Sequence, residues 1–505
     1  MSYASTTPLL ERHWRLGYIG FAAVIALLSN IFFWDVALGL GFFLFVLLYV
    51  VGFVSLAVCT KQLREPRAFA LLIPIIILSA DVVLYNNALV RIWVPIFVFA
   101  LLVLFSLLST LQNPHRYRFS LSKIPLFRDI DVLFRKWGNV FHDLFTWKKG
   151  ADGAVIKKIA LGLGLSLPIM FIFGSLLAEA DAIFGDIISR SVDLHIDGNI
   201  VWRLFRSGVT TLFLSGFFYV LIQDNVLGEK KERAIKLDAT VVGTILVLVN
   251  VLFLFFVAVQ FKYLFGSYEY VRANDIVFAE HARSGFFQLA WVVGLAAAML
   301  VFMYRSAVHH GYSLLLQVLK GVFIGLVLVI AYSALHRMGL YQDAYGFTVL
   351  RLYVQWTICF AMLLLLFAGG AIVTKLPFRN FFYTTLLLGI GALTVVCSIN
   401  VDRMIARENI DRHLLQGKKV DVRYLVEELS FDAVPEVDRL FAATPSQQVI
   451  GHGTVTYAVY PSLYTRYDKG IETLWYDAER SWREFNFGYD RAKDVLLQHP
   501  WIRAE

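Results

Sequence analysis

Three titratable side chains stand directly before a long uncharged segment of the sequence. In AEHARSGFFQLAW, residues 279–291, Glu280, His281 and Arg283 precede a run of 19 residues without charge that starts at Phe286. Glu280 and Arg283 are three residues apart, so they can pair on one face of a helix, and His281 can exchange a proton near neutral pH. This chemistry suits either a polar site or an ordinary solvated helix start at a membrane interface.

A second polar stretch is HRMGLYQDAYGFTVLRLY, residues 336–353. Arg337, Tyr341 and Tyr345 recur every four residues and share one helix face. Arg351 follows within the first turn of the next apolar segment. A charge that enters the bilayer usually needs a partner or a water-filled cavity, so we expect Arg351 to belong to a polar network. Tyrosine at this depth is also ordinary for a membrane interface.

The turn inside this stretch has its own signals. Gly346 can end the first helix, and Thr348 can cap the second one.

A third polar stretch, SINVDRMIARENIDRH (398–413), carries Asp402, Arg403, Arg407 and Asn409. We expect these side chains either to join a polar site or to lie on a solvated helix.

Acidic residues also occur at the ends of two apolar segments. LSADVVLYNNALVR (78–91) contains Asp81, and LAEADAIFGDIISR (177–190) contains Glu179 and Asp181. Both segments place Ala-Asp near the end of an apolar run and an arginine about ten residues later. A repeated half-fold, as in transporters, would produce this similarity, and so would chance.

Together these residues predict one candidate polar site, because they would lie at one membrane depth on the outer face. Its members are Asp81, Glu179, Asp181, Glu280, His281, Arg283, Arg337, Tyr341, Tyr345, Arg351, Asp402, Arg403, Arg407 and Asn409. We predict no catalytic residue, cofactor or metal ligand. The chain has no HExxH motif, and its three cysteines, Cys59, Cys359 and Cys397, have no zinc-binding spacing.

The elements that position these residues are predicted to be membrane helices. Hydrophobic residues make up 58% of the 505 residues and charged residues only 17%, whereas soluble domains carry about 25% charged residues. A helix crosses the bilayer core with about 20 apolar residues, and eleven segments meet this requirement. They are residues 16–34, 36–60, 68–90, 92–113, 159–178, 207–223, 239–260, 286–304, 311–335, 348–374 and 380–400.

We therefore predict an all-α polytopic transmembrane bundle of about eleven spans that contacts the lipid bilayer. The first apolar run is too long for a cleavable signal peptide and predicts a retained helix. The loop 114–158 has ten Lys/Arg against four Asp/Glu, which predicts a cytoplasmic loop whose basic residues meet anionic lipid headgroups. The net charge of +8 is thus a topology signal, and no nucleic-acid partner is predicted.

An odd number of spans with the N-terminus inside puts residues 401–505 outside. This tail has 14 Lys/Arg and 17 Asp/Glu and predicts a small, mainly helical extracytoplasmic domain. Helices are predicted at 401–415 (continuing the last span), 420–430, 432–443 with Asp432 as the N-cap, and 471–485, with a strand at 454–460. Trp475, Tyr476, Trp482 and Phe485 form either a contact stripe for an envelope protein partner or part of a core. The predicted domains are 1–113, 114–158, 159–400 and 401–505.

Several blocks between residues 170 and 440 resemble a bacterial membrane family, the domain of unknown function 4173, which has a sister family numbered 4153. They are LLAEADAIF (176–184), QFKYLFG and AEHARSGFFQL (within 260–289), HRMGLYQDAYGFTVLRLY (336–353), ARENIDRH (406–413) and DVRYLVEELSFDAVPEV (421–437), and SWREFNFGYDRAK (481–493) resembles the family's closing helix. The resemblance implies a multi-pass protein of the bacterial cytoplasmic (inner) membrane, and it supplies no reaction or substrate.

Three functions agree with these features. A transport-related or envelope-maintenance protein would explain the number of spans and the charged residues Asp81, Lys320 and Arg351 near the membrane. A non-catalytic envelope sensor or assembly partner would use the tail to bind another protein. A membrane enzyme with a lipid-linked substrate is the third alternative, although the first outer loop, Trp34-Asp35, is too short for the acidic pair that lipid-linked glycosyltransferases usually carry there.

Overall fold

The computed structural model describes residues 8–110, 198–222, 239–264, 286–307, 314–443 and 481–498. All regular structure in these ranges is helical, which confirms the predicted all-α class. The span predicted at 159–178, the strand at 454–460 and most of the helix at 471–485 lie outside the described residues.

Thirteen α-helices occur in the described ranges. They are α1 (Pro8–Phe33), α2 (Leu40–Cys59), α3 (Leu72–Leu84), α4 (Val94–Thr110), α5 (Gly198–Ile222), α6 (Ala239–Leu264), α7 (Phe286–Ala307), α8 (Leu314–Tyr345), α9 (Val349–Val373), α10 (Phe378–Cys397), α11 (Val401–Gln416), α12 (Val434–Ala443) and α13 (Phe487–Leu497). A 3₁₀ segment, Pro66–Leu71, precedes α3, and a π-helical turn, Leu89–Trp93, precedes α4. Shorter turns lie at Tyr424–Glu428, Phe431–Ala433 and Trp482–Glu484.

Eight segments of the described chain are long and apolar enough to cross a membrane. They are Trp14–Phe33, Leu40–Cys59, Pro66–Leu84, Leu89–Thr110, Thr240–Val259, Leu314–Tyr345, Val349–Val373 and Asn380–Cys397. Each one coincides with a predicted span. The chain is therefore a multi-pass membrane protein whose apolar helices contact lipid.

Two further predicted spans are helical but less apolar. Helix α5 (Gly198–Ile222) includes residues 207–222 of the span predicted at 207–223, and α7 includes the span predicted at 286–304 with a shorter apolar stretch, Trp291–Phe302. The count of eleven spans stays a prediction.

The chain divides into two compact units. The N-terminal unit contains the described residues 8–83, 95–110, 198–222 and 481–485. The C-terminal unit contains residues 84–94, 239–264, 286–307, 314–443 and 486–498.

The N-terminal unit is packed by aromatic rings and by paired hydroxyl groups. The Tyr18 ring lies 5.7 Å from that of Phe218, so that α1 packs on α5. The Tyr18 hydroxyl is 3.1 Å from Thr60 Oγ1, and the Tyr49 hydroxyl is 2.9 Å from Ser106 Oγ. These pairs satisfy hydroxyl groups that burial would otherwise leave without a partner.

A segment from the end of the chain completes this unit. The Leu40 amide donates to Phe485 O at 3.1 Å, and a Cβ at Gly39 would lie only 2.6 Å from the same oxygen. The Trp482 ring packs edge-on against Phe32 at 6.2 Å, although Trp482 remains 58% exposed. Of the predicted contact stripe, the Trp482 ring thus contacts α1, and Phe485 bonds the start of α2 through its backbone oxygen.

The membrane helices of the C-terminal unit enclose polar side chains as well as apolar ones. The Phe253 ring of α6 stacks on Phe323 of α8 at 5.7 Å, and Asn250 Nδ2 donates to Leu319 O at 2.9 Å. Lys320 is only 6% exposed. Its side chain thus points into the bundle and does not extend along the surface.

The C-terminal unit has a separate apolar core around α11 and α12. Its buried members are Leu352, Val401, Ile405, Ala406, Ile410, Val420, Val422, Leu425, Val426, Leu429, Ala433, Val434, Val437, Leu440, Tyr489 and Ala492. The prediction that the last span continues into the helix at 401 is wrong. The helix stops at Cys397, and Asn400 Oδ1 caps a new one by accepting from the Arg403 amide at 3.1 Å.

Candidate functional site

The turn between α8 and α9 is held by a side chain from α11. Gly346 has φ +82°, a conformation that favours glycine, and it ends α8 as predicted. The side-chain amide of Asn409 accepts from the Phe347 amide at 2.7 Å and donates to Phe347 O at 2.9 Å. The predicted cap, Thr348, makes no side-chain capping bond. The Val349 amide donates instead to the Tyr424 hydroxyl at 2.9 Å.

Arg351 finds its partners within the same turn. Its Nη1 donates to Gly346 O at 2.6 Å, and its guanidinium lies 4.3 Å from the centre of the Tyr341 ring. The Tyr341 ring in turn lies 5.0 Å from that of Tyr345, which is 54% exposed. The Arg351 charge, for which the sequence predicted a partner, thus has two: a carbonyl oxygen and the face of an aromatic ring.

Arg412, which was absent from the predicted site, is buried against the end of α8. Its Nη1 donates to Gln342 O at 2.7 Å, and its Nη2 donates to Asp343 O. Lys418 Nζ approaches Asp343 O at 3.3 Å. Positive charges here satisfy the last carbonyl groups of the helix and complement the negative end of its dipole.

An ion-pair chain links α11 to α12. Arg403 Nε lies 3.0 Å from Glu436, and Arg439 bridges Glu436 at 3.5 Å and Asp411 at 2.6 Å. Arg407 lies 3.7 Å from Asp411. A fully solvated α11 is therefore excluded, because its polar side chains and its buried apolar residues both pack on neighbouring segments.

Two aspartates lie where several segments of the C-terminal unit meet. Asp402 Oδ2 accepts from the Ser430 amide at 2.9 Å, and Asp432 Oδ2 accepts from the Asn86 amide at 2.7 Å. The prediction of Asp432 as an N-cap is wrong, because Phe431–Ala433 forms a 3₁₀ turn before α12 and the carboxylate binds a distant loop.

Asn486 fixes the same loop from the other side. Its Nδ2 donates to Tyr85 O at 2.9 Å, and its Oδ1 accepts from the Tyr489 amide at 2.9 Å, which caps α13. The Tyr85 hydroxyl donates to Ser398 O at 3.0 Å. Sequence reasoning missed Asn486, although an asparagine three residues before Tyr489 is an ordinary cap signal.

The second oxygen of Asp432, Oδ1, has no hydrogen-bond partner in the part of the chain that the structure describes. Asp432 is 3% exposed, and its buried Oδ1 faces Gly488, where a Cβ would overlap it. Burial and, to a smaller degree, the charge of Asp402 raise the pKa of Asp432 to about 6, against the hydrogen bonds from Asn86 and Ser430. This carboxyl can therefore change its charge near neutral pH.

The structure describes nine of the fourteen predicted site residues. Glu179, Asp181, Glu280, His281 and Arg283 lie outside the described residues. Asp81 is buried in α3 within the N-terminal unit, and Arg337 is partly buried in α8. The other seven lie in the C-terminal unit around the ends of α8 and α11, and the single outer-face site stays a prediction. Within the described ranges, no three His, Cys, Asp or Glu side chains form a group that could hold a metal ion.

Comparison with family models matches residues 72–440 to DUF4153, a domain of unknown function. The match covers more than half of the chain, and the chain belongs to this family. The family number expected from the sequence blocks is thus corrected from 4173 to its sister, 4153. Searches of curated proteins and of solved structures found no significant match.

Proposed function

We propose that this member of the DUF4153 family is a transport-related protein of the bacterial cytoplasmic membrane that spans it eleven times. The observation that carries the proposal is Lys320, a cation buried among membrane helices. The described residues contain no acidic group within 4 Å of it that forms an ion pair. Ionisable side chains inside a membrane bundle usually line the path of a substrate or an ion.

Asn250 adds to this interior polar position. It is 7% exposed, and it binds the backbone of Leu319, the residue before Lys320. Its buried Oδ1 has no hydrogen-bond partner among the described residues. A buried ammonium group that follows the residue bound by Asn250 would favour passage of an anionic group.

Helix directions in the N-terminal unit support an additional span beyond α4. Asn30 near the end of α1 contacts Arg203 near the start of α5, and Tyr18 packs on Phe218. These two helices are antiparallel, so the end of α1 and the start of α5 would share a membrane side. The three crossings of α2, α3 and α4 would leave the chain on the membrane side opposite to the end of α1. One more crossing, the span at 159–178, would bring it back to the side on which α5 starts.

Helix directions in the C-terminal unit support a crossing by α7. Gly243 faces Leu316, and Phe253 stacks on Phe323, so α6 and α8 run parallel. Two parallel spans need one return crossing between them, and α7 would supply it. With α5 and the span at 159–178, the eight apolar segments become eleven.

Eleven spans and a cytoplasmic loop at 114–158 would put residues 401–505 outside the membrane. The polar cluster around Arg351, Asn409 and Asp432 would then face the cell envelope. In this orientation the basic loop would meet anionic headgroups at the cytoplasmic surface.

Anion flux in proteoliposomes tests the proposal. Vesicles that hold the purified chain would be exposed to potassium salts of chloride, phosphate and acetate with valinomycin, and light scattering would report swelling. We expect at least one anion to enter with the wild type and to be excluded by Lys320→Gln, which removes the buried charge. The control is Lys419→Gln, because Lys419 is exposed. Equal swelling of empty and wild-type vesicles with every salt would overturn the transport proposal.

Asp432 favours a second candidate, a non-catalytic envelope sensor. Its carboxyl has a pKa of about 6 and joins the loop at Asn86 to the segment at Ser430. Protonation would alter that junction and so the surface presented to an envelope protein. Cross-linking to an envelope partner would be compared for the wild type and Asp432→Asn at acidic and neutral pH. If Asp432→Asn is cross-linked at both pH values as strongly as the wild type is at neutral pH, the sensor proposal would be contradicted.

A further inference from the structure

Two arginine side chains of the N-terminal unit lie over a single indole ring. Arg203 and Arg206 follow each other in the first turns of α5, and their guanidinium carbons are 4.8 Å and 4.6 Å from the centre of the Trp34 ring. Residues three apart on a helix have neighbouring side chains. The two positive charges are therefore presented close together at the end of α1.

Asn30 holds this arrangement in place. Its Oδ1 accepts from Arg206 Nε at 3.0 Å and also from Arg206 Nη2, and its Nδ2 donates to Ser207 Oγ and to Arg203 O. The bonds fix Arg206 and the backbone of α5, whereas the Arg203 guanidinium, within the described ranges, lies on the ring without a side-chain hydrogen bond. The Arg206 guanidinium is thus held in place before any ligand arrives, which lowers the entropic cost of binding, and Arg203 lies stacked on the same ring.

The pair has no ionic partner in the part of the chain that the structure describes. Asp35 is exposed and influences Arg206 electrostatically, but no carboxylate lies within 4.0 Å of either guanidinium. Two like charges held on one ring repel each other. An anion between them would relieve this repulsion and would satisfy their free N–H groups.

The position of the pair indicates which anion it meets. Trp34 lies at the end of an apolar span, and Trp202, next to Arg203, is 45% exposed. Tryptophan is enriched at the depth of the lipid headgroups, where the abundant anion is the phosphate group of phospholipids.

We propose that Arg203 and Arg206, with Trp34 as their platform, bind the phosphate group of an anionic phospholipid. Guanidinium groups pair with phosphate oxygens through two parallel hydrogen bonds, which gives them an advantage over ammonium groups. The site requires α5 to start at a membrane surface, but it does not depend on transport.

Native mass spectrometry of the full chain tests this site. Phosphatidylglycerol would be titrated in detergent against a constant excess of phosphatidylcholine, and bound lipid would be counted. We expect about tenfold weaker retention for Arg203→Gln and a further loss for Arg203→Gln/Arg206→Gln. The control, Arg67→Gln/Arg423→Gln, removes two exposed charges elsewhere and should retain lipid as the wild type does.

Two further measurements keep the result interpretable. Melting in phosphatidylcholine nanodiscs checks folding. Arg203→Gln provides the test should the double variant unfold, because no hydrogen bond among the described residues depends on the Arg203 side chain. Inorganic phosphate titrated over the same range distinguishes the source of the anion. Equal phosphatidylglycerol retention by the wild type and both site variants would overturn the proposal, as would Arg203-dependent stabilisation by inorganic phosphate that matches the effect of the lipid.

Discussion

The two units of this protein bury different sets of polar groups, although each unit buries carboxyl groups: those of the N-terminal unit include Asp81 and Glu484. In the N-terminal unit the hydroxyl of Tyr18 pairs with Thr60, and that of Tyr49 pairs with Ser106. In the C-terminal unit the buried groups include the guanidinium of Arg412 and the carboxyl of Asp432. Neutral groups keep their state over the physiological pH range, whereas charged groups respond to pH and need complete sets of partners.

This difference predicts unequal sensitivity to mutation. Removing one hydroxyl of a buried pair costs about 1 kcal/mol of stability. Leaving a buried charge, or several buried carbonyl groups, without a partner costs several times more. Loss of the Arg412 charge should therefore destabilise the protein more than loss of a paired hydroxyl, and Asp432 should make the stability of the C-terminal unit depend on pH.

Arg412→Met should give the largest effect. Methionine keeps much of the side-chain volume but leaves Gln342 O and Asp343 O without their donor, and we expect a loss of about 3 kcal/mol in the free energy of unfolding. Denaturant unfolding in detergent would measure the loss. Hydrogen exchange should rise in α8 and α11 and stay unchanged in α2.

The matched control is Arg407→Met, because the Arg407 side chain is 66% exposed. We expect a change within about 0.5 kcal/mol. If Arg412→Met and Arg407→Met lost similar amounts of unfolding free energy, burial of Arg412 at the end of α8 would not determine the loss.

Asp432→Asn should abolish one pH dependence. The folded pKa of about 6 exceeds the ordinary value of 3.8, so the native state binds the extra proton between these values. The stability that Asp432 contributes by binding this proton is therefore greatest below about pH 4 and is lost as pH rises through about 6. The free energy of unfolding changes by up to about 3 kcal/mol over this range. The asparagine variant should gain stability relative to the wild type over that window, as measured by unfolding at a series of pH values.

Glu428→Gln serves as the control, since Glu428 is exposed and should leave the pH profile unchanged. If the stability of Asp432→Asn changes with pH in the same way as that of the wild type, Asp432 does not titrate in this range.

Gly346→Ala should have an intermediate effect. The positive φ disfavours a side chain, and the new Cβ would lie 2.6 Å from Asn409 Oδ1, so we expect a loss of about 2 kcal/mol. In contrast, Gly339→Ala adds a methyl group in open space within α8 and should be neutral or stabilising by about 0.5–1 kcal/mol. Thermal melting of both variants in one detergent would compare them, and equal melting temperatures would contradict the strained turn.

Tyr49→Phe in the N-terminal unit should have the smallest effect. It leaves the ring stacked on Phe53 and removes only the bond to Ser106, which predicts a loss of about 1 kcal/mol. The loss should be the same at acidic and neutral pH, as checked by unfolding at both. If the loss of stability in Tyr49→Phe depended on pH, the contrast between the neutral hydroxyl pair and Asp432 would be contradicted.

The parts of the candidate site that depend on local signals could be predicted. Gly346 ends a helix because a residue without Cβ tolerates positive φ, and Arg351 needed a partner because it enters an apolar segment. The partner itself could not be predicted, since a carbonyl oxygen and the Tyr341 ring are as suitable as a carboxylate.

The parts that depend on distant contacts could not be predicted. Arg412 binds a carbonyl 70 residues away, and Asp432 binds an amide 346 residues away. Nothing in the local pattern around Asp432 distinguishes a helix cap from a long-range acceptor, because both need the same short acidic side chain.

The sequence by itself determined that this is an all-helical, multi-pass membrane protein. Runs of about 20 apolar residues must be helical in a bilayer, because the lipid offers no hydrogen bonds to the backbone. Only the tertiary structure decided which polar groups are paired, which carboxyl is buried and which arginines share a ring. Those outcomes depend on helices that meet in space although they are far apart along the chain.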